Sequence, residues 1–453
     1  MRQIPRVSLK RSLRALFIEL ASISFLVLLL RPGLTSSMTG IPSPDVARDG
    51  LYRAVTEDGV TLALKRYRPN PESPFRTGAQ PVIMMPGMLG NFYEFDMKTP
   101  DTQELAVRLP DRLAPWAERD PLIRQDPMLY YSMAYALWAG GLDVWLANYR
   151  GQGRPPYESG GRGGYSIDDL AVYDVPAVVS KVYEVSGKHP VWLGHSMGST
   201  MAYMSLEGAL FSAETGHIVS SPDLVHERNA GLGPQAIKGL VALDGPVVPS
   251  QSSMDTPANW ALMAVPFYLD LRGLGSPAGS RRLVYGAERL LWGTYRALGR
   301  PNLDSFNGLL AINVFNIDPA VNQFLGRFAM DGVSTHVLSQ FADAGAQQRL
   351  REHFLNGPEN KNPLSPPEPY PGDGYYYYSD HLNLITLPAL VIVDNTLDIT
   401  APADIDRFYQ AKTRHPADGF FRVPNTAHID LVMGLNAPEI TYPMILEWIQ
   451  GLD

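Results

Sequence analysis

The sequence predicts an α/β fold: one mostly parallel sheet flanked by helices, with a large helical insertion ahead of its last strands. Short apolar runs stopped by Gly, Pro or polar residues recur along the chain, as strands buried on both faces require. Helix-like stretches alternate with those runs. The rhythm breaks between about residues 248 and 380 and then resumes. The implied organisation is an N-terminal segment 1–37, a first core part 45–247, a cap 248–380 and a second core part 381–453.

Taken in order, "GVTLALKRYRP" (59–69) alternates after a turn and predicts a strand. "PVIMMPG" (81–87), "LDVWLANYRG" (142–151), "HPVWLGHS" (189–196), "IKGLVALDGPV" (237–247) and "LPALVIVDNT" (387–396) are the fully apolar runs. Between them, "YDVPAVVSKVYEVSG" (173–187) and "STMAYMSLEGALF" (199–211) predict helices. Inside the insertion, "ANWALMAVPFYLDLRGL" (258–274) and "RRLVYGAERLLWGTYRALG" (281–299) predict amphipathic helices. A Pro- and Tyr-rich loop (356–380) follows.

Composition narrows the function classes. With 46 acidic against 38 basic residues, the charge balance argues against a nucleic-acid partner. The single "GGRGG" (160–164) therefore predicts a loop and not an RNA-binding segment. There is no cysteine, which removes thiolate nucleophiles, Cys-zinc sites and disulfides. No H-E-x-x-H or comparable ligand cluster occurs, so neither a metal nor another cofactor is expected. The first fourteen residues carry five basic and no acidic side chains, and an apolar run to Leu30 follows, interrupted by Glu19. A basic flank before a short apolar run fits an export signal or a membrane anchor; the run is shorter than the roughly 20 residues that span a bilayer.

"GHSMG" (194–198) matches G-x-S-x-G, between the strand-like "PVWL" and a helix-like stretch. A serine on a sharp strand-to-helix turn crowds the positions two residues away, so both must be very small. Ser196 is therefore the candidate nucleophile. Its hydroxyl needs a base, and the base needs an acid to orient it. Of the histidines well beyond the serine's helix and near or after the last strands (His336, His353, His381, His415 and His428), His428 lies in "VPNTAHIDLVMG", a loop after the strand-like "GFFRVP" and before a C-terminal helix. That location suits the base. Asp398, just past the strand-like run 387–396, is the favoured acid; Asp244, at the end of an earlier run, is the second candidate, and Asp394 the third. The oxyanion needs two backbone N–H donors, expected from Met197, after the nucleophile, and Met88, in "MPGMLGN" (85–91).

With those segments in place, the chain resembles the α/β-hydrolase superfamily, and most of all the acid lipases of the gastric and lysosomal type. The resemblance rests on "GLDVWLANYRGQG" (141–153), "DDLAVYDVPAVV" (168–179), "STHVLSQF" (334–341), "YSDHLNLITLPALVIV" (378–393) and "AHIDLVMGLNAPE" (427–439), and covers roughly residues 50–245 and 375–450. It implies an α/β-hydrolase fold with Ser196 as nucleophile, Asp398 as acid, His428 as base, and the amides of Met88 and Met197 as oxyanion hole. The chain departs from the family at Pro86-Gly87, where His-Gly is usual, and over most of the cap. The expected function is a serine hydrolase acting on hydrophobic esters, with lipid-interface contact and export or anchoring. An acyltransferase or polyester hydrolase using the same three residues is the alternative, and a non-catalytic binding protein on this scaffold the competing class.

Overall fold

The computed structural model describes residues 50–70, 79–100, 105–248, 266–272, 312–313, 316–358, 366–395 and 402–452. The N-terminal segment 1–37, the expected helix 281–299 and Asp398 lie outside the described residues. Eight strands form one sheet: β1 (Gly50–Val55), β2 (Thr61–Tyr67), β3 (Pro81–Met85), β4 (Asp143–Asn148), β5 (Val191–His195), β8 (Gly239–Leu243), β11 (Ala389–Val393) and β12 (Gly419–Arg422). The order is β1-β2-β4-β3-β5-β8-β11-β12. Strand β2 runs antiparallel to both its neighbours, and every pair from β4 to β12 is parallel. Each apolar run read as a strand is one of these. The hairpin of β6 (Ala209–Phe211) with β7 (Ile218–Ser220) and the pair β9 (Tyr268–Asp270) with β10 (Gly332–Ser334) stand apart from this sheet.

The central strands are buried on both faces, and alternate residues feed two cores. Val82, Met84, Val144, Leu193, Val241 and Ile392 face one, with α1 (Met133–Ala139) and α7 (Thr441–Gln450) over them. Ile83, Met85, Trp145, Trp192, Ala242 and Val391 face the other, under α2 (Val175–Ser186), α3 (Met197–Leu206) and α5 (Thr335–Gln347). Helix α2 shows why its sequence is helical. Val175, Val178, Val179 and Val182 are buried at i, i+3, i+4 and i+7, and Gly187 ends it in the left-handed conformation at φ 69°. Burial of each such valine is worth about 1.5–3 kcal/mol. The remaining longer helices are α4 (Pro222–Ala230) and α6 (Pro402–Ala411).

Two expectations change inside residues 248–380. Residues 268–270, expected as helix, are strand β9, because Tyr268 and Leu269 pair with Ser334 and Val333 of β10. A Cβ on Gly332 would lie 2.2 Å from the Leu269 carbonyl oxygen, so this close backbone approach excludes a side chain there. Helix α5 belongs to the core, since Val337, Phe341 and Ala344 are buried against the sheet face. The Tyr-rich stretch is anchored as well. The hydroxyls of Tyr375, Tyr376, Tyr377 and Tyr378 donate to the Phe354 carbonyl, Glu207, Asp373 and Asp168.

Candidate active site

Ser196 stands between β5 and α3 at φ 52°, ψ −123°, a conformation that L-residues rarely adopt. Its amide donates to the Leu243 carbonyl at 2.8 Å, tying the turn to β8. The two flanking glycines are demanded by space. A Cβ on Gly194 would meet the Gly198 carbonyl carbon at 2.4 Å, and one on Gly198 the Met85 carbonyl oxygen at 2.3 Å. Both contacts are with backbone, which cannot swing aside. Strand, glycine spacing and strained serine are the features of a nucleophile elbow.

His428 comes to this turn from the loop after β12. Its ring lies 4.7 Å from the His195 ring, centroid to centroid, and its Nδ1 is 2.9 Å from Asp244 Oδ2, with both side chains buried. Asp244, the second candidate for the acid, directly follows Leu243, the residue paired with His195. Its backbone is also left-handed, at φ 49°, and its other oxygen accepts the Asp394 amide at 3.3 Å. The structure thus brings Ser196, His428 and Asp244 to the same end of the sheet. Asp394 meets Asp244 through its backbone amide.

Met197 opens α3, and Met88 follows a Pro-Gly turn at the end of β3. A Cβ on Gly87 would lie 3.0 Å from the Ser196 Cβ, which measures how closely the turn passes the serine. Both backbone groups of Gly87 are engaged: its carbonyl accepts the Tyr149 hydroxyl at 3.1 Å, and its N–H donates to Glu94 Oε2 at 3.3 Å. The turn is then bolted to the stretch after residue 325. Asp331 donates its amide to the Leu89 carbonyl and Asn91 donates to the Ala329 carbonyl, at 2.8 and 2.9 Å, while Gly90 bridges to Met330.

Several buried groups around this centre escaped the sequence reading. Glu94 and Asp430 are the nearest. Asp430, two residues past His428, accepts from the Asn313 amide, Asn316 Nδ2 and the Ala427 amide; burial pushes its carboxyl up to about 7. The signal available in the sequence was a carboxylate inside an otherwise apolar or aromatic run, "FYEF" and "HIDLVM". Among the described residues no group of three or more His, Asp or Glu is arranged to hold a metal, and no helix is long and apolar enough to cross a membrane.

The sheet order, with a strained serine turn after β5 and a histidine loop after the last strand, is that of the α/β-hydrolase fold, and the chain resembles the lipases. Residues 128–261, which include the elbow, match the family described as serine aminopeptidase, S33. Human lipase member M is 22% identical over 88% of this chain and 82% of its own length. Human gastric triacylglycerol lipase is 26% identical over 34% of this chain and 33% of its own, and mouse lipase member K 38% identical over 16% and 20%. Among solved structures, a monoacylglycerol lipase from Paleococcus ferrophilus aligns with TM-score 0.43 and 14% identity, over 89% of this chain and 100% of that one.

Proposed function

We propose that this chain is a serine hydrolase that cleaves carboxylic esters with an apolar acyl part, using Ser196, His428 and Asp244. The observation that carries the reading is the buried Asp244–His428 pair delivered to a strained serine between two obligatory glycines. Ser196 Oγ attacks the ester carbonyl while His428 Nε2 takes its proton, and Asp244 holds the Nδ1–H and balances the imidazolium. The amides of Met88 and Met197 receive the oxyanion. His428 then returns the proton to the departing alcohol. Water, activated by the same ring, releases the acid from the acyl-serine. The lipase names among the relatives support an ester with a hydrophobic acyl group. The basic, then apolar, N-terminal segment supports export or anchoring, and with it contact with a lipid surface.

The test is turnover of p-nitrophenyl esters from short to long acyl chains, with amino-acid p-nitroanilides alongside because of the aminopeptidase family match. Ser196→Ala is expected to remove ester turnover and fluorophosphonate labelling together. Hydrolysis of anilides alone would replace the ester reading with a peptidase one, and labelling retained in the variant would remove Ser196 from its role.

A further inference from the structure

Glu94 and His195 form a second carboxylate–imidazole pair beside the proposed nucleophile, and nothing in the chemistry above uses it. His195 precedes Ser196 directly. Its Nε2 lies 3.0 Å from the His428 carbonyl oxygen, and its Nδ1 contacts Glu94 Oε1. The side chains of His195 and Glu94 are 4% and 7% exposed, so water does not substitute for these contacts. The other Glu94 oxygen accepts the Gly87 N–H. A carbonyl only accepts, so Nε2 carries the ring hydrogen, and Nδ1 is turned toward the Glu94 carboxylate. The pair touches each part of the site. It holds the Gly87 turn ahead of Met88, the elbow itself, and the backbone of the base.

Resting on the ester-hydrolase reading, we propose that Glu94 and His195 are positioning residues that set the distance between nucleophile, base and oxyanion donor. The pair acts on geometry and not on the substrate. By tying up the Gly87 amide, Glu94 leaves the next amide, that of Met88, to point at the oxyanion. By donating to the His428 carbonyl, His195 fixes the loop on which the base rides. The surroundings are shaped for this. A Cβ on Gly90 would fall 2.7 Å from Glu94 Oε2, so Gly90 keeps open the approach of the carboxylate.

Low-field proton NMR of the full-length chain tests the pair directly. Buried imidazole N–H resonances are expected from His428 Nδ1 and His195 Nε2, the first lost in Asp244→Asn and the second shifted in Glu94→Gln. In steady-state assays Glu94→Gln is expected to lower kcat by roughly 10²-fold, the size of loss that a small misplacement of reacting groups causes, with KM within about twofold. A merely structural carboxylate would lower the melting temperature and leave kcat per folded molecule unchanged; that result overturns the proposal. Should Glu94→Gln fail to fold, Gly90→Ala displaces the carboxylate without removing it, and unchanged kcat there overturns the proposal equally. A wild-type chain that neither turns over esters nor is labelled at Ser196 overturns the hydrolase reading and any catalytic use of the pair. An active wild type with an equally active variant overturns the positioning role alone.

Discussion

Ser196 and Asp244 share a left-handed backbone at φ 52° and 49°, each at the exit of its strand. A non-glycine residue there costs of order 1–3 kcal/mol and persists only where its surroundings hold it. Here they do, because the Ser196 amide bonds to Leu243 O and the Asp244 amide to Ile392 O. At Asp244 the sharp exit turns the side chain to His428. On this basis Asp244→Asn should lower kcat by roughly 10⁴-fold, the loss seen when the base's orienting acid is neutralised, while Asp398→Asn should cost far less. Measured kcat for the two variants decides between them, and the opposite ranking would return the acid to Asp398. Sequence reading set these two in the reverse order for a physical reason. Both follow apolar runs of similar character, and which one meets His428 depends on the order of strands in the sheet, which no local pattern encodes. The placement of Ser196 on a strand-to-helix turn and of His428 in a loop after β12 was legible because spacing and local context constrain it.

Among elements, the turn from β5 into α3 is the most constrained. Gly198 packs its Cα against the backbone at the end of β3, so Gly198→Ala must push the start of α3 away from that strand. A loss of about 3 kcal/mol or more is expected, the upper end for overpacking, readable as a lowered urea midpoint together with slower fluorophosphonate labelling of Ser196. The other end of α3 carries a different liability. Glu207 is wholly buried, accepts one hydrogen bond from Tyr376, and its Oε1 has no partner among the described residues. Burial raises its carboxyl well above the usual range, so it is held protonated. The central strands β3, β4, β5, β8 and β11 were legible because a fully apolar run of five residues has few other places to go, whereas the edge strand β1, with its exposed alternate residues, was not singled out. Strand β9 was not legible, since "PFYLD" gains its partner only when β10 arrives from more than sixty positions along the chain.

For the molecule as a whole, Glu207 ties stability to pH. A carboxyl whose folded pKa is raised contributes stability that is fully present below its unfolded pKa and lost as pH rises through the folded value. Glu207→Gln removes that dependence. Its melting temperature should match the wild type in acid and exceed it increasingly as pH rises; parallel curves for the two proteins would show that Glu207 is ionised in the fold. Several buried charges elsewhere are paired. Arg150 joins Asp58 and Asp174, and Arg351 joins Asp343. Such pairs fix arrangement more reliably than they add stability.

The contacts of Gly90, Leu89 and Asn91 with residues 329–331 bear on how this architecture is inherited and re-engineered. The stretch that closes the insertion also braces the donor turn, and further on Gln340 and the His353 amide both bond to Asp168 under the sheet. The insertion is therefore not an exchangeable unit ending near residue 380. A chimera that swaps in a relative's covering segment would need its downstream splice ahead of residue 328, so that the native return path survives. Splicing later would trade away the contacts that hold the turn at residues 89–91.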